Sequence, residues 1–165
     1  MALTTKVVLK FNTVYTNPAD FSTPKDVLID DVSISLADGD GASQADVIFH
    51  DQRTLADGAN EVLDLYASGS LLDPLGTALT IETLKLLYIY NNSSDASLKI
   101  FGGVTPIGIC SDSSDIVILP PGGTFMWSAP DLTGLDITTN KNLKLEHDGT
   151  GTSTLTYDVI AIGVD

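Results

Sequence analysis

Apolar and polar side chains alternate along several short segments of this chain, and this pattern constrains its fold most. In residues 6–12, Val7, Leu9 and Phe11 occupy one side of the alternation and mainly polar residues the other. Residues 31–36 and 143–146 follow the same rule. A period of two matches a β-strand with one face toward a core. We therefore predict strands in these segments, and further strands over residues 46–50, 60–67, 97–101, 115–119, 123–127 and 153–164.

Two longer segments carry hydrophobic residues on both sides of the alternation. Residues 153–164 do so throughout, which is typical of a buried strand in the centre of a sheet. Residues 77–91 fit a strand that ends at a turn, although Ile81, Leu84 and Tyr88 would also line one side of a helix. Because this segment contains a continuous run of aliphatic and aromatic residues, we expect it to be a buried strand.

The segments between these strands are rich in turn-forming residues, such as Asp-Gly pairs and the sequence Pro-Pro-Gly-Gly at 120–123. The chain has 19 Asp, 3 Glu and 18 Thr. Asp favours turns, Glu favours helices and Thr favours strands, so this composition indicates strands and turns. Several short strands divided by such turns predict an all-β fold, a single antiparallel β-sandwich of the jelly-roll type over residues 1–165.

The charge of the chain restricts its partners. The formal net charge is −14, so we expect no binding to nucleic acid or to anionic membranes, both of which attract Lys and Arg. Residues 1–19 differ, because they carry Lys6 and Lys10 and no acidic residue. This segment could be simply the first strand. Residues 1–25 could also form an arm that attaches the domain to a neighbouring subunit by strand addition.

No residue cluster has the spacing of a catalytic or metal site. His50 and His147 stand far apart in strand patterns, and Cys110 has no base beside it in the sequence. We therefore expect no enzyme activity, no catalytic residues, no metal and no cofactor. The start of the chain does not have the pattern of a secretory signal, which indicates folding in a cytoplasm.

Three features could instead bind a ligand or a partner. The Asp-rich turns at 38–41 and 111–115 could hold Ca²⁺, although Asp is common in surface turns. Trp127 could stack on a sugar, although a Trp within an apolar strand more often belongs to a core. The segment 68–79 places Leu71, Leu72 and Leu75 in a loop, where they either pack under the sandwich or cover a partner.

The order of turns and strands resembles that of the small β-sandwich structural proteins of tailed bacteriophages, which decorate or cement capsids. The resemblance covers roughly residues 54–165. It rests on the segments 55–60 (Leu-Ala-Asp-Gly-Ala-Asn), 63–65 (Leu-Asp-Leu), 86–91 (Leu-Leu-Tyr-Ile-Tyr-Asn), 98–103 (Leu-Lys-Ile-Phe-Gly-Gly), 119–123 (Leu-Pro-Pro-Gly-Gly) and 157–163 (Tyr-Asp-Val-Ile-Ala-Ile-Gly).

This resemblance implies a non-enzymatic virion protein, made in the bacterial cytoplasm, that stabilises the outside of a capsid. It implies a homo-oligomer, a trimer, whose partner is the major capsid protein or another virion protein. Together with the charge pattern and the loop, it leads us to predict an interface through Lys6, Lys10, Leu71, Leu72 and Leu75. The alternative is a carbohydrate- or receptor-binding module of a phage spike or fibre, since sandwiches also serve as lectins.

Overall fold

The computed structural model describes residues 2–67, 71–110, 112, 114–149 and 154–165. These residues form thirteen β-strands and no helix. The strands are β1 (Thr5–Thr16), β2 (Lys25–Leu36), β3 (Val47–Leu55), β4 (Asn60–Asp64), β5 (Leu71–Leu72), β6 (Ala78–Leu79), β7 (Thr83–Asn91), β8 (Leu98–Gly102), β9 (Ile116–Leu119), β10 (Thr124–Ser128), β11 (Leu135–Asp136), β12 (Asn142–His147) and β13 (Leu155–Val164).

Two antiparallel sheets build the body of the protein. The large sheet has the order β10-β7-β13-β3, and β11 also pairs with β7. The small sheet has the order β4-β12-β8-β9. Strands β5 and β6 form a short ribbon, and β1 and β2 form a long one. Strands that neighbour each other in a sheet are often far apart in the sequence.

The main core lies between the two sheets and is made by one face of each. Phe49, Ile89 and Val159 of the large sheet are buried together with Ile100 and Leu145 of the small sheet. The other face of the small sheet is mixed: Lys99 and Lys144 both form ion pairs with Glu146, at 3.4 and 3.2 Å, and Val62, Ile116 and Ile118 are exposed beside them. Successive side chains of these strands therefore point alternately into the core and toward the outer face, as expected for a sheet with one buried face.

A second, smaller cluster covers one end of the outer face of the large sheet. Leu86 of β7 and Ile162 of β13 are buried there against Leu36 of β2 and Ala45. Because the main core covers the inner face, the end of the large sheet under this cluster is apolar on both faces. The predicted central strand is confirmed, since β13 lies between β7 and β3.

The predicted all-β sandwich is confirmed; the jelly-roll connection of its strands stays a prediction. The strand expected over residues 77–91 is divided in two, β6 and β7. Between them, residues 80–82 are not part of a strand, and Ile81 donates its N–H to the Leu65 carbonyl (3.0 Å) rather than to β13. Among the described residues, no helix has the length and hydrophobicity needed to cross a membrane.

Candidate assembly interface

The pair β1–β2 forms a long hairpin, which we call the arm. Its twelve residue pairs run from Thr5 opposite Leu36 to Thr16 opposite Lys25. At about 3.3 Å per residue, the arm is about 40 Å long. The loop 17–24 at its end is closed by two backbone hydrogen bonds, from Asn17 to Pro24 (3.0 Å) and from Ala19 to Ser22 (2.9 Å).

One face of the arm, which we call the sandwich-side face, is apolar along most of its length. Its apolar residues are Val7, Leu9, Phe11 and Tyr15 of β1 and Leu28, Val32, Ile34 and Leu36 of β2, and its polar residues are Thr5, Thr13, Asp26 and Asp30. At the base, Val7, Ile34 and Leu36 belong to the second cluster on the large sheet. Exposure then rises outward, from 1% at Leu36 to 45% at Val32 and 54% at Leu28. The sandwich thus covers only the base of this face.

The opposite face of the arm changes character along its length. Near the base it is largely polar, with Lys6, Lys10, Ser33 and Ser35 and one apolar side chain, Val8. Farther out it carries Val14, Val27 and Ile29, which are 53%, 44% and 72% exposed. The outer half of the arm therefore exposes large apolar side chains on both faces, beside polar residues such as Asp26, Asp30 and Asn12. A sheet that faces water on one side usually keeps that side polar, so exposed apolar side chains on both faces are unusual for a strand pair in water.

The two lysines predicted for the interface lie on the polar part of the arm. Lys10 forms an exposed ion pair with Asp31 of the opposing strand at 3.6 Å, and Lys6 lies opposite Ser35. The hairpin brings Asp26, Asp30 and Asp31 beside the basic first strand. With three Lys and four Asp, residues 5–36 have a net charge of −1. Pairing thus offsets the positive charge that the sequence shows in residues 1–19.

The structure separates the three leucines predicted for the interface. Leu71 of β5 is buried in the main core, whereas Leu72 and Leu75 are 53% and 73% exposed. Residues 68–70 of the predicted loop lie outside the described residues. Leu75 borders an apolar groove of about 270 Å³ that also contains Leu3 from the N-terminal segment. The two segments predicted to attach the domain therefore meet at this groove, without the two lysines.

The residues considered for metal binding or catalysis are dispersed. Asp38 accepts the Leu3 N–H (2.8 Å), and Asp112 accepts the Ser114 N–H (2.8 Å). Residues 111 and 113 of the second turn are not described. Within the described ranges no three His, Cys, Asp or Glu side chains form a cluster that could hold a metal ion. His50 is exposed on the large sheet, whereas His147 is buried.

Two further residues have a local explanation in the fold. Cys110 is buried, and this burial raises the pKa of its thiol, which disfavours the nucleophilic thiolate. Trp127 of β10 is half-buried and packs against the main core, as expected for an aromatic residue within an apolar strand.

Sequence reasoning missed a polar network at the edge between the two sheets. Tyr157 donates its hydroxyl to Glu61 Oε1 (2.6 Å), and Arg53 Nε donates to Glu61 Oε2 (2.7 Å). Arg53 also pairs with Asp51 at 2.9 Å. Burial, and then the bond to Glu61, raise the pKa of Tyr157, while the Glu61 carboxylate raises that of Arg53. The network joins β3 and β13 to β4, so its role is to link the sheets.

The outer half of β2 and the tip of the arm were also missed. The apolar run 27–29 and the single aromatic residue Phe21 between Pro18 and Pro24 were the signals that could have indicated them. Comparison of the chain with protein-family models, curated proteins and solved structures found no match.

Proposed function

We propose that this chain is a non-enzymatic structural subunit of a tailed-bacteriophage virion, which decorates and stabilises the outside of the capsid. Its partners are further copies of itself and the major capsid protein or another virion protein. The arm and the exposed loop leucines supply the contacts. Such a protein acts by occupying a place in a lattice, so its functional residues are contact residues.

The outer half of the arm carries this proposal. An isolated two-stranded hairpin is at best marginally stable in water, and this one exposes large apolar side chains on both faces. Phe11, Leu28 and Ile29 are 52%, 54% and 72% exposed. Full burial of a side chain of this size contributes about 1.5–3 kcal/mol, and covering one that is already about half buried contributes roughly half of that. An assembly that covers the arm would therefore be stabilised substantially by it.

The charge distribution also supports docking through the arm. Since the whole chain has a net charge of −14 and the arm −1, the rest of the chain carries −13. Two such bodies repel each other, whereas a nearly neutral arm can approach another acidic subunit at little electrostatic cost. An acidic surface around an apolar arm thus favours contacts made by the arm over contacts made by the body.

The test is co-sedimentation of the purified chain with capsids of the phage that encodes it. Phe11→Asp places a charge on the sandwich-side face beyond the covered base, and we expect it to abolish capsid binding. Ile116→Asp is the matched control, because Ile116 is also 52% exposed but lies on β9 of the small sheet. Equal binding of both variants and the parent would contradict docking through the arm. A parent chain that never sediments with capsids would contradict the proposed function.

Carbohydrate binding is a second candidate, favoured by one shallow groove on the outer face of the large sheet. The groove has a volume of about 300 Å³ and places Tyr88 beside His50, Gln52 and Asp158. An aromatic ring next to polar side chains can bind a sugar by stacking and hydrogen bonding. Binding of the parent chain to a glycan array, lost in Tyr88→Ala, would support this function.

A further inference from the structure

The tip of the arm presents one aromatic side chain to the solvent. Phe21 is 104% exposed, so nothing in the chain covers its ring. It lies between Pro18 and Pro24 in the loop 17–24, which backbone hydrogen bonds close at both Asn17 and Ala19. These bonds restrict the backbone of the loop, which reduces the entropic cost of docking. Aromatic side chains are enriched in protein interfaces.

The groove beside Leu75 has the size and lining to accept such an anchor. Its apolar walls are formed by Leu3, Val47, Ile48, Pro74, Leu75 and Leu79. Its volume of about 270 Å³ exceeds the ~150 Å³ of an apolar cavity that takes up benzene, so it can accommodate a phenyl ring. Leu75 is 73% exposed at its border and would be covered by an inserted ring.

The tip cannot reach the groove of its own chain. The groove includes Ala2 and Leu3, which directly precede the base of the arm, whereas Phe21 lies at the far end of twelve residue pairs. The two are thus separated by about 40 Å of paired β-structure. A groove and a tip at opposite ends of one rigid element can meet only between different molecules.

The charges at the two ends suit a contact between copies. The tip, residues 16–25, carries Asp20 and Lys25 and has no net charge. The groove is bordered by Asp46 and Asp73. A tip without net charge meets less repulsion at this acidic border than a second acidic body would, because Lys25 offsets Asp20.

From these observations we infer that Phe21 at the tip of the arm inserts into the groove beside Leu75 of a second copy of this chain. Because tip and groove are different surfaces, the contact is heterologous, and its repetition produces a ring or a chain of subunits. The inference names the copy-to-copy contact within the proposed function and rests on it for its setting. Its test uses the purified chain without capsids, so either idea can fail alone.

The first experiment measures the mass of the full chain in solution by analytical ultracentrifugation over a range of concentrations. We expect the parent to self-associate, and Phe21→Ser and Leu75→Asp each to weaken this by at least about 30-fold, the effect of a hot-spot residue. Val104→Ser and Leu132→Asp are matched controls, because these side chains are 97% and 66% exposed in other loops. We expect the controls to associate like the parent. Unchanged circular dichroism would show that each variant is folded.

The second experiment tests whether the contact joins the two different surfaces. Two chains that are distinguishable by mass each carry one added cysteine, and the native Cys110 is buried. Because Phe21 and Leu75 must stay in place for the contact, the cysteines are placed beside them, as Ser22→Cys and Pro74→Cys, both at exposed positions. Under mild oxidation we expect a disulfide-linked dimer when the Ser22→Cys and Pro74→Cys chains are mixed, and little of it from either chain alone.

Three results would overturn the inference. The first is a parent chain that stays monomeric at high concentration, which would leave capsid decoration possible but exclude this contact. The second is self-association that neither Phe21→Ser nor Leu75→Asp weakens. The third is cross-linking between two Ser22→Cys chains, which would indicate a symmetric contact between tips. Loss of capsid binding by a Phe21→Ser chain whose parent is monomeric would assign the tip to the capsid protein instead.

Discussion

Removing the hydroxyl of Tyr157 tests how the two sheets are joined. Tyr157 is fully buried, and its hydroxyl donates to Glu61 Oε1 on β4 at 2.6 Å. Tyr157→Phe keeps the buried ring and deletes this one bond. Hydrogen bonds to charged groups contribute about 1.5–3 kcal/mol, and Glu61 is 20% exposed, so water can partly replace the lost donor. We therefore expect a loss of about 1.5 kcal/mol in the free energy of unfolding at pH 8.

The same substitution should change the response to alkaline pH. Burial raises the pKa of Tyr157 in the folded protein above the value of about 10 in an unfolded chain. Its stabilising contribution is therefore complete below pH 10 and is lost as the pH rises toward the folded pKa. Above pH 10 the unfolded state releases this proton and the folded state retains it. The parent should lose about 1.4 kcal/mol from this residue between pH 9 and 11.

The Tyr157→Phe variant has no hydroxyl to titrate at this position, so it does not lose this stability at high pH. The free energies of unfolding of variant and parent should therefore converge near pH 11. The measurement is urea denaturation of both proteins at pH 8, 9, 10 and 11. The difference between them cancels the other groups that titrate in this range. Tyr15→Phe, at a 70% exposed position on the arm, controls for the loss of a tyrosine hydroxyl outside the network. Parallel pH profiles of Tyr157→Phe and the parent would refute the role assigned to burial of the hydroxyl.

Three further predictions follow from the packing. Asn91→Asp should lower the free energy of unfolding by about 3 kcal/mol or more, as measured by urea denaturation. The buried amide of Asn91 donates to the carbonyls of Ala96 and Leu119, which would face a carboxylate in the variant. Asn92→Asp, at an exposed position, is the control and should have little effect. Gly163→Ala should lower the free energy of unfolding by about 1–3 kcal/mol. The Cβ of the new alanine would collide with the carbonyl oxygen of Thr83, at the position where the register of β13 shifts. An unchanged melting temperature would contradict this prediction. A chelator should leave the melting temperature unchanged, because Asp38 and Asp112 accept backbone N–H groups and the described part of the chain has no group of three side chains that could hold a metal ion; a drop would indicate a bound cation.

Local alternation in the sequence was sufficient to predict the sidedness of the strands. Val7 and Leu9 share a face with Val32 and Ile34, as their spacing predicts, and Leu143 and Leu145 point into the core. The rule holds because successive side chains of a strand point in opposite directions whatever the strand pairs with. Apolar residues on both sides of 153–164 similarly predicted its central position, since a strand buried on both faces has no polar side.

The arm could be predicted only in part. The sequence indicated a strand or arm near residues 1–25, but not that its partner is β2. Two-strand hairpins are recognisable from connections of two to five residues, whereas the connection here is residues 17–24. Residues 25–30 also lack strict alternation, because Leu28 and Ile29 lie on opposite faces and both are apolar. A pattern that assumes one covered face does not identify a segment with two apolar faces.

The sequence by itself determined the class of the fold, which is built of strands and turns, and the face of most strands that points to the core. It also determined the acidic charge of the chain. Those properties depend on neighbours in the chain. The tertiary structure alone decided that Leu71 is core while Leu72 and Leu75 are exposed, and that Glu61 meets Tyr157. It also brought Leu3 beside Leu75 at one groove and left Phe21 uncovered. These arrangements depend on pairing between distant segments, because which surface covers a side chain is set by whole sheets packing together and not by the residues beside it.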